Sequence, residues 1–170
     1  MKRKVRIVGD KVLRKVAEPV SRITPDLSKL ISDMFETMKE SNGIGLAAPQ
    51  VGVSKRVIVI SVPMEDEGVH KAALINPEIA QYSVEEDILE EGCLSVPGVV
   101  AEVKRPVAIK VRAIDGIKKK KTNFEAEGLL ARCIMHEIDH LDGKLFIDRA
   151  GISEKEAAEI ISKKKVKSES

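Results

Sequence analysis

The chain has 170 residues, 43% hydrophobic and 33% charged, which suits one folded domain and excludes the hydrophobicity-poor composition of a disordered chain. Its 29 Lys and Arg against 27 Asp and Glu leave a net charge of +2, too little for a whole-molecule field that would hold nucleic acid or a membrane surface. Aromatic residues are only 2%, so the core must be aliphatic.

Lys2, Arg3 and Lys4 are followed by no apolar signal segment, and no apolar run reaches membrane-spanning length, so a cytoplasmic protein is expected. Cys93 and Cys133 do not read as the disulfide framework of a small exported domain. The first helix follows Thr24 as N-cap, with Pro25 at the first helical position, where its missing N–H costs nothing. Leu27, Leu30, Ile31, Met34, Phe35 and Met38 then recur at three- and four-residue steps as one apolar stripe, ending near Asn42 and Gly43. Val57 to Ile60 is a short β-branched run and reads as a buried strand. Val107, Ile109 and Val111 alternate with Lys110 and Arg112 as a half-buried strand. Asp115-Gly116 supplies hairpin chemistry, Lys118 to Lys121 sit at the exposed hairpin, and a return strand runs near Thr122 to Ala126.

A second helix spans about Leu129 to Leu141, closed by Gly143, and is apolar on nearly every side except at its ionisable residues, so it belongs inside the protein. A third begins after Ser153, where Ser153 and Glu156 make a capping box, and runs into Lys163, Lys164 and Lys165. Strands interrupted by helices without a βαβ rhythm predict an α+β fold. Mixed, mostly antiparallel sheets should pack around the central buried helix, with one helix towards each end of the chain. Residues 1–165 are expected to form a single domain and 166–170 a frayed tail.

The central helix carries His136-Glu137-Ile138-Asp139-His140. At about 100° per residue, positions 136 and 140 share one face a turn apart, so both imidazoles can reach one ion. Glu137 is angled towards a water on that ion and can accept and return its proton. Two helical histidines four apart also occur by chance. Burying four ionisable residues in an apolar helix, however, costs several kcal/mol unless something satisfies them, and a metal ion does so. A catalytic site needs a third protein ligand, and the candidates are Cys93, Cys133 and His70. Cys133 shares the helical face but would make one helix supply three ligands. His70 lies in a charged stretch and reads as a solvated surface residue, and Cys93 follows a glycine that lets the backbone approach closely.

Three segments together resemble the peptide deformylase family: Gly43-Ile44-Gly45-Leu46-Ala47-Ala48-Pro49-Gln50, Glu91-Gly92-Cys93-Leu94-Ser95, and His136 to His140, in the family's order. The likeness extends through the intervening segments over most of the chain. The generic zinc-protease pattern matches only the third.

The resemblance implies that Cys93, His136 and His140 hold one divalent ion, iron(II) physiologically, with zinc, nickel or cobalt as alternatives. It implies hydrolysis of the formyl group from N-formylmethionyl nascent chains. Glu137 serves as base and acid, and the Gln50 amide and the Leu94 backbone N–H act as oxyanion donors. Read alone, Gln50 would be an exposed polar residue after Pro49. Backbone near Ile44, Gly45, Gly92 and Leu94 is expected to pair with an extended peptide. Leu129 and Cys133, completed by Ile44 and Leu89, are expected to line the methionine pocket. Arg105 is expected to pair with Glu91 or Asp139 and steady the Cys93 segment. Two residues depart from the family's pattern: Arg132, at a helix position often apolar in relatives, and Val100, where many carry a larger or polar residue. The basic C-terminal helix resembles the region through which some relatives touch the ribosome weakly, although lysines there also compensate the helix dipole. Two rivals remain: an endopeptidase on the same helix, whose third ligand would be His or Glu, and a non-catalytic metal-stabilised binding protein, for which Glu137 and Gln50 would have no use.

Overall fold

The computed structural model describes residues 1–66 and 68–169. Two antiparallel sheets and four helices make up an α+β architecture, as the segment pattern predicts. The larger sheet holds β1 (Gly45–Ala47), β2 (Val57–Pro63), β3 (Val69–Tyr82), β6 (Ala108–Asp115) and β7 (Lys120–Glu127), in spatial order β1-β2-β3-β6-β7. A separate two-stranded sheet pairs β4 (Glu86–Cys93) with β5 (Val96–Pro106). The helices are α1 (Pro25–Glu40), α2 (Gly128–Leu141), the single turn α3 (Phe146–Arg149) and α4 (Glu154–Glu169).

The β-branched run of β2 is apolar on both sides because both sides are covered. Ile58, Ile60 and Val62 join Leu130, Ile134 and Leu141 of α2 in one cluster. Val57 and Val59 join Leu30, Met34 and Met38 of α1 in another. Fully burying each such side chain contributes about 1.5–3 kcal/mol, so the helix–sheet–helix sandwich fixes α2 firmly beneath the sheet. Thr24 Oγ1 accepts from the Leu27 N–H at 3.2 Å, the cap its sequence position predicts. At the other end Asn42 takes φ +55° and the Gly43 N–H donates to the Met38 carbonyl at 2.9 Å, turning the chain directly into β1. Gly143 closes α2 with φ +72°, and a side chain there would meet the Arg14 carbonyl oxygen at 2.6 Å.

Several elements differ from the sequence reading, which gave no strand for β1, β3, β4 or β5. β3 is a 14-residue strand that the pattern does not announce, because register shifts between Ile75 and Glu78 and between Ile79 and Gln81 interrupt its alternation. The β6–β7 turn occupies residues 116–119, so Lys118 and Lys119 lie in it while Lys120 and Lys121 already belong to β7. α4 continues to Glu169, past the expected domain end at residue 165; Ser170 lies outside the described residues. The Ser153–Glu156 capping box is present, with the Glu156 N–H donating to Ser153 Oγ at 3.1 Å. No described helix is long and apolar enough to cross a membrane.

Candidate metal centre

Every residue of α2 from Leu130 to Leu141 is buried, including His136, Glu137, Asp139 and His140. The imidazoles of His136 and His140 are 5.2 Å apart between centroids, one turn of the same helix face. Across from them the β4–β5 hairpin turns tightly at Leu94-Ser95, pairing Cys93 with Val96, and delivers the Cys93 sulfur to the helix. Cys93 Sγ lies 3.3 Å from His140 Nε2, and one donor atom from each of Cys93, His136 and His140 falls within 4.8 Å of the others. Donors bonded to one tetrahedral ion at about 2.0–2.3 Å stand roughly 3.3–3.8 Å apart, so this trio fits a mixed thiolate–imidazole metal site. Cys133 and His70 lie outside the trio: Cys133 Sγ contacts the Ile44 carbonyl at 3.6 Å, and His70 is half-buried on β3 against Phe124, 5.9 Å between centroids.

A buried ionic lattice aims these donors. Glu91 accepts from Arg105 at 2.6 and 2.9 Å, from Arg132 at 2.7 Å, and contacts His136 Nδ1 at 2.9 Å, which leaves Nε2 of that ring to face Cys93 and His140. Arg105, only 1% exposed, also donates to Asp139 at 3.0 Å, and Arg149 grips the same carboxylate at 2.6 and 2.8 Å. Arg105 thus bridges Glu91 and Asp139 together. Burial opposes ionisation of Glu91, but Arg105 and His136 override it and hold the carboxyl well below the usual range. Burial also opposes charge on His136, yet the hydrogen bonds its ring makes to Cys93 and Glu91 push its pKa well above the ordinary value; a positive charge at this spot is what the surrounding anions favour. His140 moves the other way, pushed down by burial and then by His136, and stays a neutral donor.

Gln50 sits at the end of a short 3-10 turn (Ala48–Val51) and is 1% exposed, contrary to the surface position its residue type suggests. Its Oε1 accepts from the Ala47 N–H at 2.9 Å, so the amide NH2 points to the site, where Nε2 lies 3.1 Å from Ser95 Oγ and 3.5 Å from Cys93 Sγ. Residues 6 to 8 tie this turn to the Cys93 hairpin: the Arg6 N–H donates to the Gln50 carbonyl at 2.7 Å and the Val8 N–H to the Ser95 carbonyl at 2.8 Å. Glu137 is buried, its pKa raised to about 7 by burial, and its Oε2 finds no hydrogen-bond partner among the described residues. A carboxylate oxygen left so is placed to accept a proton from a small ligand.

These groups open into a cleft of about 400 Å3 lined by Ile44, Gly45, Gly92, Leu94, Leu129 and Cys133, with Gln50, Cys93, His136 and Glu137 at its floor. Leu89 is not part of this lining and stands 47% exposed on β4. Val100 is also exposed, at 59%. Arg132 borders the cleft, but its guanidinium is spent on Glu91, the Val103 carbonyl and Asp87, at 2.7, 2.8 and 2.6 Å. The sequence reading noted Arg132 only as a departure and passed over Arg149 and Ser95. An arginine one turn before His136 on a buried helix was a usable signal, because it demands a buried carboxylate nearby.

A sequence profile described as polypeptide deformylase matches residues 2–156. A peptide deformylase of Rhizobium meliloti is 51% identical over 142 residues, 84% of this chain and 81% of its own, and one from Thermoanaerobacter pseudethanolicus is 51% identical over 87% and 89%. Among solved structures, a peptide deformylase from Ehrlichia chaffeensis superposes with a TM-score of 0.88 at 38% identity, covering 99% of this chain and 97% of that one. Another, from Acinetobacter baumannii and solved with Met-Ala-Ser bound, gives 0.82 at 37%, covering 88% and 98%. With the cysteine hairpin, the paired imidazoles and the buried glutamate brought together at one site, these likenesses place the chain in the polypeptide deformylase family.

Proposed function

We propose that this enzyme removes the formyl group from the N-terminal formyl-methionine of nascent polypeptides in the cytoplasm, releasing formate, with residues 1–165 acting as one catalytic unit. The observation that carries the reading is the Cys93 sulfur standing against two helical imidazoles beside a buried glutamate whose Oε2 has no hydrogen-bond partner among the described residues. Cys93, His136 and His140 hold one divalent ion, iron(II) physiologically, with zinc, nickel or cobalt able to replace it. Bound there, the ion supplies Lewis acidity and lowers the pKa of water.

The protein's own groups do the rest. Glu137 accepts the proton of the attacking water and delivers it to the amine as the carbon–nitrogen bond breaks, yielding formate and a free N-terminus. Gln50 Nε2 and the Leu94 backbone N–H donate to the carbonyl oxygen as it gains negative charge. The Ala47 N–H on Gln50 Oε1 means that little reorganisation is needed to aim that donor. Glu91, Arg105 and Asp139 act as positioning residues, because they fix the His136 ring and the hairpin behind Cys93. Leu129, Cys133 and Ile44 receive the methionine side chain, with Leu89 at the outer rim, while backbone of Ile44, Gly45 and Gly92 pairs with the peptide. Main-chain pairing suits an enzyme that must accept many sequences, and the relative holding Met-Ala-Ser shows such a peptide in a similar fold. The exposed lysines of α4 offer a weak contact to the ribosome.

An endopeptidase would carry His or Glu as third ligand, and here a cysteine stands in that place. The test is formate release from formyl-Met-Ala-Ser by anaerobically purified protein, with metal content measured alongside. Glu137→Ala should retain the ion and lose roughly 10²–10⁴-fold in kcat. Cys93→Ala should lower metal stoichiometry. Absence of formate release by wild type refutes the activity, and a fully active Glu137→Ala removes that residue as the base.

A further inference from the structure

Along β1 the cleft opens in one direction only. Glu137 and Cys133 sit directly over Gly45, so the reacting group lies at that end of β1. In one direction along β1 the chain is sealed: Leu46, Ala47 and Ala48 are 0% exposed. In the other it is open, since Gly43 is half-buried and Ile44 and Asn42 are exposed. A peptide leaving Gly45 in that direction passes Ile44 and Gly43, outside the β1 ladder, and at about 3.3 Å per extended residue about its fourth residue reaches Asn42 at the turn that ends α1.

At Asn42 and Gly43 the cleft meets a second hollow, of about 510 Å3, that shares both residues and crosses the C-terminal end of α1. Its walls include Phe35, Met38, Lys39 and Lys71. Lys71 Nζ lies 4.6 Å from the Phe35 ring centroid, so apolar and cationic surface are presented together. Glu36 on the same wall is already paired with the α-ammonium of Met1 at 2.8 Å. Beyond Phe35 and Lys71 a third hollow reaches the β6–β7 turn at Gly116 and Ile117.

We propose that this groove holds the fourth and following residues of the formylated chain, with Lys39 and Lys71 favouring acidic side chains among them; the assignment rests on the function proposed above. Continuity with the cleft and the sealed opposite end commit the groove to the same peptide rather than to a separate partner. An exposed, mobile chain contacting two surface cations gains modest, salt-sensitive affinity, which suits a substrate that must be released quickly.

The experiment compares formate release, at low ionic strength, from formyl-Met-Ala-Ser, formyl-Met-Ala-Ser-Glu-Leu-Glu and formyl-Met-Ala-Ser-Lys-Leu-Lys. The acidic hexapeptide should exceed the tripeptide in kcat/KM by roughly threefold, the scale of an exposed ion pair, and exceed the basic hexapeptide by more. Lys71→Glu, on an exposed side chain, should leave the tripeptide unchanged and erase the acidic preference. Phe35→Ala should cut the hexapeptides only. Equal kcat/KM for the three peptides overturns the groove alone, as does a Lys71→Glu variant that scales all three alike. Protein that releases formate from none of them overturns the deformylase reading, and the groove with it.

Discussion

Gly45→Ala tests how closely the reactive carboxylate is fitted to the strand beside it. A Cβ built on Gly45 lies 2.7 Å from Glu137 Oε1, 3.0 Å from Glu137 Cγ and 2.8 Å from Cys133 Sγ. Comfortable carbon contacts begin near 3.5 Å, so the methyl demands about 0.7 Å of movement from two side chains on a buried helix. Backbone retreat is blocked, because β1 pairs with β2 through Gly45↔Ile60 and Leu46 is wholly buried. The least costly relief is to swing the Glu137 carboxylate. Folding should therefore lose about 1–3 kcal/mol by overpacking, while kcat falls by roughly 10²-fold, the cost of misplacing a reacting group by about 1 Å. Metal content should be unchanged, since the nearest atoms to the new methyl belong to Glu137 and Cys133 rather than to Cys93, His136 or His140. Gly92→Ala is the control for folding and metal content: its Cβ would meet the Val99 carbonyl oxygen at an ordinary 3.7 Å. The assays are kcat and KM on formyl-Met-Ala-Ser, metal stoichiometry and thermal melting. A Gly45→Ala enzyme within about twofold of wild-type kcat would refute the argument.

Metal-free protein should show a pH signature of Glu137. Its folded pKa is raised from 4.5 to about 7, so the stabilisation from binding its proton is complete below pH 4.5 and is lost as pH rises through 7. Glu137→Gln should flatten that loss, worth at most about 3 kcal/mol, in chelator-treated protein unfolded by urea across the window; parallel curves for the two proteins would count against it. Arg105→Ala leaves Glu91 and Asp139 short of a buried guanidinium and should destabilise by about 3–5 kcal/mol in urea, with weaker metal retention. A loss under about 1 kcal/mol would show that Arg132 and Arg149 suffice to hold those carboxylates.

What the sequence made legible was whatever repeats at short range. α1 is written in its cap at Thr24 and its apolar stripe, β2 in a run buried on both faces, and α2 in an unbroken apolar segment holding two imidazoles. β3 escaped because bulges spoil its period, and β4 because its exposed face carries acidic residues in a two-stranded sheet. At the site, local pattern leaned towards Cys93 over Cys133 and His70 without deciding among them, since only tertiary folding sets which sulfur or ring reaches the helix; the family's motifs separated them. Gln50 read alone passes for a surface amide, and only the motif lifts it to the site, because what holds it inside, the Ala47 N–H and the Ser95 hydroxyl, comes from its own turn and from a hairpin in another sheet. Arg132 and Arg149 were missed because charge pairing inside a core leaves no periodic trace.

The clasp formed by residues 6 to 8 carries a consequence for biogenesis. The sulfur and the ring it faces are separated by 47 positions, Glu91 and the ring it steadies by 45, and the clasp itself joins the first residues to the turn and hairpin bearing the donors. Contacts so distant along the chain close late, after loop-closure entropy has been overcome. An ion held by this trio would therefore gain its full ligand set only after the chain is synthesised past His140 and the hairpin has closed on the helix, so metal uptake would report completion of the fold.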